Sequence, residues 1–147
     1  MTEIVHIPAI RAGVDYESLD SNEIVPLGST QPIARVSQVN AGIIRRDLKK
    51  LARQAETLRK VSSARMFEIC REAGRLFMNE SLLLSEAGPA QSPDDYVTTL
   101  SSTSGLTHAM VRRNMEKIVT MLDTMPAILR GLTRGLDPAL LDTGTVS

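Results

Sequence analysis

The chain has 147 residues, 42% of them hydrophobic and 23% charged, and its 17 basic and 17 acidic side chains cancel to zero net charge. This length suits one domain with a core of its own, and the composition is that of an ordinary globular protein. No run reaches the roughly 18 to 20 apolar residues that cross a bilayer, and the first residues lack the pattern of a secretory signal. The single cysteine excludes an internal disulfide framework and an all-cysteine metal site. We therefore expect a cytoplasmic protein without a membrane partner.

The charges are distributed unevenly along the chain. Residues 1–23 carry five acidic side chains against one arginine, residues 35–75 carry eleven Lys and Arg against four acids, and residues 76–110 carry four acids and no Lys or Arg. A cationic middle between acidic segments can bind an anionic partner. It can equally be neutralised by its own neighbours, within the chain or between subunits, because most charge runs are solvated faces.

The beginning of the chain predicts a short β-structure. Residues 23–28 and 31–36 each hold a short apolar run, and Gly28-Ser29-Thr30 lies between them. Gly, Ser and Pro typically mark turns between strands. We therefore expect a β-hairpin over 22–37, preceded by an N-terminal arm over 1–21.

The rest of the chain predicts helices. From Ile44 to Leu58, apolar residues recur at alternating four- and three-residue spacing, which places them on one stripe of a helix. Asn40 is placed to cap this helix, and Ser92-Pro93-Asp94-Asp95 is a strong start signal for a later one. The pattern predicts a helical region over 40–136, with helices over about 41–60, 64–84, 93–103, 108–123 and 126–133, and a tail or linker over 137–147.

Chemically reactive residue types are few, and each has a structural explanation. Cys70 lies in an amphipathic helix without a histidine near it in sequence, which favours a buried core thiol over a nucleophile. His6 and His108 are too few for a metal site, and a helix start explains the adjacent Asp94 and Asp95. The nine glycines form no phosphate-binding motif. We therefore assign no catalytic, cofactor-binding or metal-binding residue.

Taken in order, the segments resemble the N-terminal portion of the aldehyde dehydrogenase superfamily. The stretches 22–28 (Asn-Glu-Ile-Val-Pro-Leu-Gly) and 32–36 (Pro-Ile-Ala-Arg-Val) are similar to the strand pair with which its members commonly begin. Residues 44–60 and 64–84 resemble the two helices that follow there, and residues 92–123 resemble the next helical segment.

Two further stretches indicate which subgroup of the superfamily the chain resembles. Residues 112–117 and 132–137 look like a bacterial subgroup related to aldehyde dehydrogenases and fatty acyl-CoA reductases. The resemblance implies the N-terminal part of an α/β fold, within an oxidoreductase that acts on aldehydes or acyl thioesters and uses NAD or NADP in the complete enzyme. The family's cysteine nucleophile, glutamate base, oxyanion-binding asparagine and NAD(P)-binding sheet match no residue here. The implied partners are the remainder of the enzyme or other subunits, in a homo-oligomer.

The sequence also leaves alternatives open. The helices can close on one another as a self-contained helical bundle, and the basic region 35–75 can serve a stand-alone protein-interaction module. We do not expect a nucleic-acid partner, because the basic helix lacks interleaved aromatic residues and the net charge is zero. If a sheet encoded elsewhere normally covers these helices, the apolar faces of helices 44–58 and 111–122 should be poorly covered.

Overall fold

The computed structural model describes residues 4–143, apart from the side chains of residues 52 and 53. Residues 1–3 of the expected arm and 144–147 of the expected tail therefore lie outside the described residues. The chain is mainly α-helical with small sheets, as the sequence predicts. The elements in chain order are β1 (Val5–Ile7), β2 (Ala9–Arg11), β3 (Val14–Tyr16), β4 (Ser21–Ile24), β5 (Ala34–Ser37), α1 (Ala41–Leu48), α2 (Leu51–Leu58), α3 (Ser63–Asn79), β6 (Leu82–Leu83), β7 (Ala90–Gln91), α4 (Pro93–Ser104), α5 (His108–Asp123), α6 (Met125–Leu132) and a 3₁₀-helix (Pro138–Asp142).

An antiparallel pair, β4–β5, lies within the hairpin expected over 22–37, with Ser21 opposite Ser37 and Ile24 opposite Ala34. Its strands are shorter than the apolar runs predict, because residues 25–33 form a loop in place of the short turn expected at 28–30. The segment expected to be a plain arm instead adds β1, which pairs in parallel with β5, and the antiparallel pair β2–β3. Ala12 and Gly13, which join β2 to β3, both have positive φ. Alanine at such a position gives no turn signal in sequence, since the favoured two-residue hairpin turns use Asn-Gly or Asp-Gly.

The single helix expected over 41–60 is two helices, α1 and α2. Asn40 caps α1 as expected, its Oδ1 accepting from the Ile43 N–H at 3.0 Å. At the junction the Lys50 N–H donates to the Asp47 carbonyl, three residues back, so one turn is tightened. Lys49 and Lys50 keep right-handed helical backbone angles. The apolar spacing does not reveal this break, because it continues across the junction.

The helix expected over 64–84 ends at Asn79. The next residue, Glu80, adopts an extended backbone conformation, and the leucines of β6 pair with β7 instead of continuing the helix. The expected tail over 137–147 contains the 3₁₀-helix, in which Pro138 is buried. The carboxylate of Asp142 accepts from the Ser63 N–H at 2.7 Å and from the Ser63 hydroxyl at 3.1 Å. The tail is therefore tied to the beginning of α3.

The core lies where α3, α4 and α5 meet. Val97, Val111 and Met115 are fully or almost fully buried there. The rings of Phe77 and Tyr96 meet edge to face against this cluster, with 5.3 Å between their centroids. Helix α4 begins at the expected start signal, where the side chains and backbone of Ser92 and Asp95 form a reciprocal capping box.

Truncating the central core residue should destabilise the fold strongly. Met115→Ala should lower the free energy of unfolding by about 2–5 kcal/mol, because it leaves a cavity between α3, α4 and α5. Met121→Ala on the same helix is the matched control, since that side chain is exposed. Denaturant unfolding followed by circular dichroism measures both. Equal losses for the two variants would contradict this placement of the core.

Candidate functional site

A row of exposed apolar side chains runs along α1 and α2. We call this row the α1–α2 stripe; its members are Ile44, Leu48, Leu51 and Leu58, which are 47%, 56%, 47% and 58% exposed. They belong to the stripe that the sequence predicts, and the chain itself does not cover them. Burying one such side chain fully is worth roughly 1.5–3 kcal/mol, so this surface favours association with another apolar surface.

The second face expected to be uncovered, over 111–122, behaves differently. Val111 and Met115 are buried, and Leu122 packs against Gly74 of α3, 3.6 Å from where a Cβ would stand on that glycine. Ile118 of this face stays 40% exposed, as do Met110 and Met121 beside it, at 52% and 46%. The expectation of a poorly covered face was therefore wrong for 111–122, because α3 and α4 pack onto it.

The whole chain exposes more surface than a compact protein of its size. Its accessible surface is 11042 Å², whereas a compact monomer of this mass exposes about 7,400 Å². Among the described residues, the buried hydrophobic side chains are Ala34, Val97, Val111 and Met115. Most apolar side chains among the described residues are therefore not fully buried.

Cations surround the α1–α2 stripe. The exposed ones are Arg45, Arg46, Lys49, Lys50, Arg59 and Lys60. Three other cations of the basic region 35–75 have acidic partners in the chain: Arg35 pairs with Glu23, Arg65 with Glu68, and Arg75 with both Glu72 and Glu80. Arg71 is exposed on α3. Most of the exposed cations of that region therefore lie on or next to α1 and α2.

A charged clamp holds α1 against the β2–β3 hairpin. Arg11 Nε and Nη2 donate to the two carboxylate oxygens of Asp47, both at 2.7 Å, and the guanidinium lies 4.6 Å from the centre of the Tyr16 ring. Hydrogen bonding from Arg11 lowers the pKa of Asp47 below its ordinary value, and the same contact raises the pKa of Arg11. An open cavity of about 330 Å³ lies beside the clamp, lined partly by Lys50 and Gln54. The clamp anchors α1, which carries Ile44 and Leu48 of the stripe.

A second polar cluster joins β1 to β5. His6 Nε2 lies 2.9 Å from Ser37 Oγ, and His6 Nδ1 lies 3.8 Å from a carboxylate oxygen of Glu17. The order of residue types is that of a catalytic triad, but Ser37 is only 6% exposed and its Oγ already accepts from the Ser18 N–H at 3.0 Å. A nucleophile must be reachable by a substrate carbonyl. The cluster therefore serves as a tie between strands.

The reactive residues that the sequence draws attention to stay apart. Cys70 is half-buried on α3, His108 is exposed on α5, and Asp95 is engaged in the helix cap, where hydrogen bonds from Ser92 lower its pKa. Among residues 4–143, no group of His, Cys, Asp and Glu could hold a metal ion. Sequence reasoning missed the Arg11–Asp47 clamp and the His6–Ser37 tie. Both join residues more than 30 positions apart, and no local signal reveals such pairs.

Comparison with protein-family models, with curated proteins and with solved structures finds no match to this chain. Within the part that the structure describes, none of the helices combines the length and apolar character needed to cross a bilayer. The resemblance seen in the sequence therefore remains an expectation.

The clamp predicts a pH dependence. A carboxylate whose pKa is lower in the folded chain stabilises it above its unfolded pKa, and that contribution disappears as the pH falls through the lowered folded pKa. Asp47→Asn should therefore melt below wild type at neutral pH. The gap should shrink as the pH falls below about 4, the pKa of an aspartate in the unfolded chain, and should close once the pH has fallen through the lowered folded pKa of Asp47.

Thermal unfolding at a series of pH values, followed by far-UV circular dichroism, measures the gap. Asp123→Asn on α5 is the matched control, because Asp123 is exposed and outside the clamp. A gap between Asp47→Asn and wild type that stays constant down to acidic pH would contradict the role given to the carboxylate.

Proposed function

We propose that this chain is the N-terminal segment of an NAD(P)-dependent oxidoreductase that acts on aldehydes or acyl thioesters, with its catalytic and cofactor-binding residues outside these 147 positions. The observation that carries the proposal is the uncovered apolar surface, above all the α1–α2 stripe. A segment shaped to pack against further structure should expose such a surface. The resemblance of residues 22–36 and of the helices after them supplies the enzyme class.

In this proposal the segment contributes scaffold. The described residues offer no accessible nucleophile with a base beside it, and no strand-to-helix glycine loop for a dinucleotide. In the complete enzyme, a cysteine thiolate would attack the carbonyl and a hydride would pass to or from the nicotinamide, as the resemblance implies. The helices described here would pack around the cofactor-binding part and provide a contact between subunits of a homo-oligomer.

One observation favours a second function, a stand-alone interaction module that uses the basic region 35–75. Most of the exposed cations of that region lie on or next to α1 and α2, beside apolar side chains that a partner can cover. Under this proposal the chain binds an acidic protein and has no enzymatic chemistry of its own. The two functions differ in what the coding sequence carries after Ser147.

Reading the coding sequence beyond Ser147 is the direct test. The proposal expects an open frame that continues into alternating strands and helices, a glycine-containing cofactor loop and a later cysteine. The longer product should form NADH or NADPH with a panel of aldehydes, while the 147-residue chain alone gives no turnover. A stop codon directly after Ser147 would favour the interaction module instead.

Replacing Cys70 in the longer product tests whether any of the catalytic chemistry lies within these 147 residues. Cys70→Ser should leave turnover unchanged, because the thiol is half-buried on α3 and outside any reactive cluster. Replacing the downstream cysteine should abolish turnover. Activity that disappears with Cys70→Ser, in a variant whose melting temperature is unchanged, would contradict the assignment of chemistry to residues outside this chain.

A further inference from the structure

We infer that the α1–α2 stripe is a docking seam for one amphipathic α-helix with acidic flanking residues. This inference deepens the proposed function and rests on it for the origin of that helix, which would belong to the remainder of the enzyme. The residues of α1 and α2 alone determine which apolar spacing and which charges the bound helix must have.

The spacing of the stripe favours a helix as the occupant. Along the sequence the apolar positions are 44, 48, 51, 55 and 58, at alternating four- and three-residue intervals. Ala55 is the small member of this series, between Leu51 and Leu58. This spacing is the 3.5-residue repeat by which two helices pack side by side, with knobs from one entering holes of the other. From Ile44 to Leu58 the seam is roughly 20 Å long, which suits a partner helix of about four turns.

The charges beside the seam set the partner's chemistry. Arg45 and Arg59 each directly follow a seam residue and lie two heptads apart, on the flank where paired helices place their interhelical ion pairs. On the other flank, Asp47 is held by Arg11 and Gln54 is uncharged. A partner with Asp or Glu facing Arg45 and Arg59 is attracted, and one with Lys or Arg there is repelled.

The α1 half of the seam is anchored before a partner arrives. The two hydrogen bonds from Arg11 to Asp47 hold α1 against the β2–β3 hairpin, and Asn40 caps its beginning. A preformed surface loses less conformational entropy on binding than one that must order itself.

A membrane surface is a poorer occupant than a protein helix. Helices that lie in the membrane interface carry Trp, Phe or Leu on their apolar face. The stripe supplies leucines, but residues 41–60 contain no aromatic residue to anchor such a helix at the interface.

A pair of synthetic peptides provides the test. The acidic peptide is about 18 residues long, with leucines at alternating four- and three-residue spacing and glutamates beside them; the basic peptide has lysines in place of those glutamates. Each is labelled with fluorescein and titrated with the 147-residue chain at about 0.15 M salt, while anisotropy is followed. We expect saturable binding of the acidic peptide and binding of the basic peptide that is at least about tenfold weaker.

Variants of the chain make the test specific. Leu51→Asp should weaken binding of the acidic peptide by about tenfold or more, whereas Leu132→Asp on α6, where the side chain is 75% exposed, should leave it unchanged. The double variant Arg45→Glu/Arg59→Glu should reverse the preference, so that the basic peptide binds better than the acidic one. Circular dichroism shows that each variant keeps its helices.

Three outcomes would overturn the inference. The first is no saturable binding of the acidic peptide to the wild-type chain, or a preference that Arg45→Glu/Arg59→Glu does not reverse. The second is Leu51-dependent binding to phosphatidylserine vesicles that displaces the peptide, which would assign the stripe to a membrane. The third is wild-type dimerisation in sedimentation that Leu51→Asp abolishes, which would assign it to a second copy. None of these outcomes bears on the coding sequence after Ser147, so the proposed function is tested separately.

Discussion

The close approach of α3 and α5 is the contact on which the rest of the fold depends. Gly74 is buried on α3, and a Cβ there would stand in ordinary van der Waals contact with α5, 3.4 Å from Val119, so the two helices are packed directly against each other at this point. Val111 and Met115 of α5 then meet α4, and Asp142 ties the 3₁₀-helix back to the start of α3. The C-terminal half is therefore organised around one helix pair.

The N-terminal half is held mainly by polar contacts, because it buries little apolar surface. The Leu27 N–H donates to the Ser102 carbonyl at 2.9 Å, which joins the β4–β5 loop to α4. The Arg11–Asp47 clamp and the His6–Ser37 tie connect its strands to each other and to α1. A region secured by directional bonds at a few points keeps a defined shape while leaving its apolar side chains uncovered. That combination is what makes the α1–α2 stripe available to a partner.

The reactive groups and the available surface lead to the same functional interpretation. Ser37 and His6 are engaged with each other, Asp47 is engaged by Arg11, and Cys70 lies on α3 away from both clusters. The feature left over is apolar surface bordered by cations. Such a surface performs recognition and packing, so we place this chain in a scaffolding role and its proposed oxidoreductase chemistry in residues beyond it.

The sequence by itself determined the elements whose signals are local. The caps at Asn40 and Ser92 and the four- and three-residue apolar spacing identify helices, because capping and periodicity act within a few residues. Only the tertiary structure decided that β1 joins β5 and that Arg11 holds Asp47, since these contacts join residues from distant positions. The division between α1 and α2 is a local tightened turn, which the continuous apolar spacing does not reveal. The same holds for the two apolar faces: periodicity marks both alike, and only packing shows that the face over 111–122 is covered while the α1–α2 stripe is not.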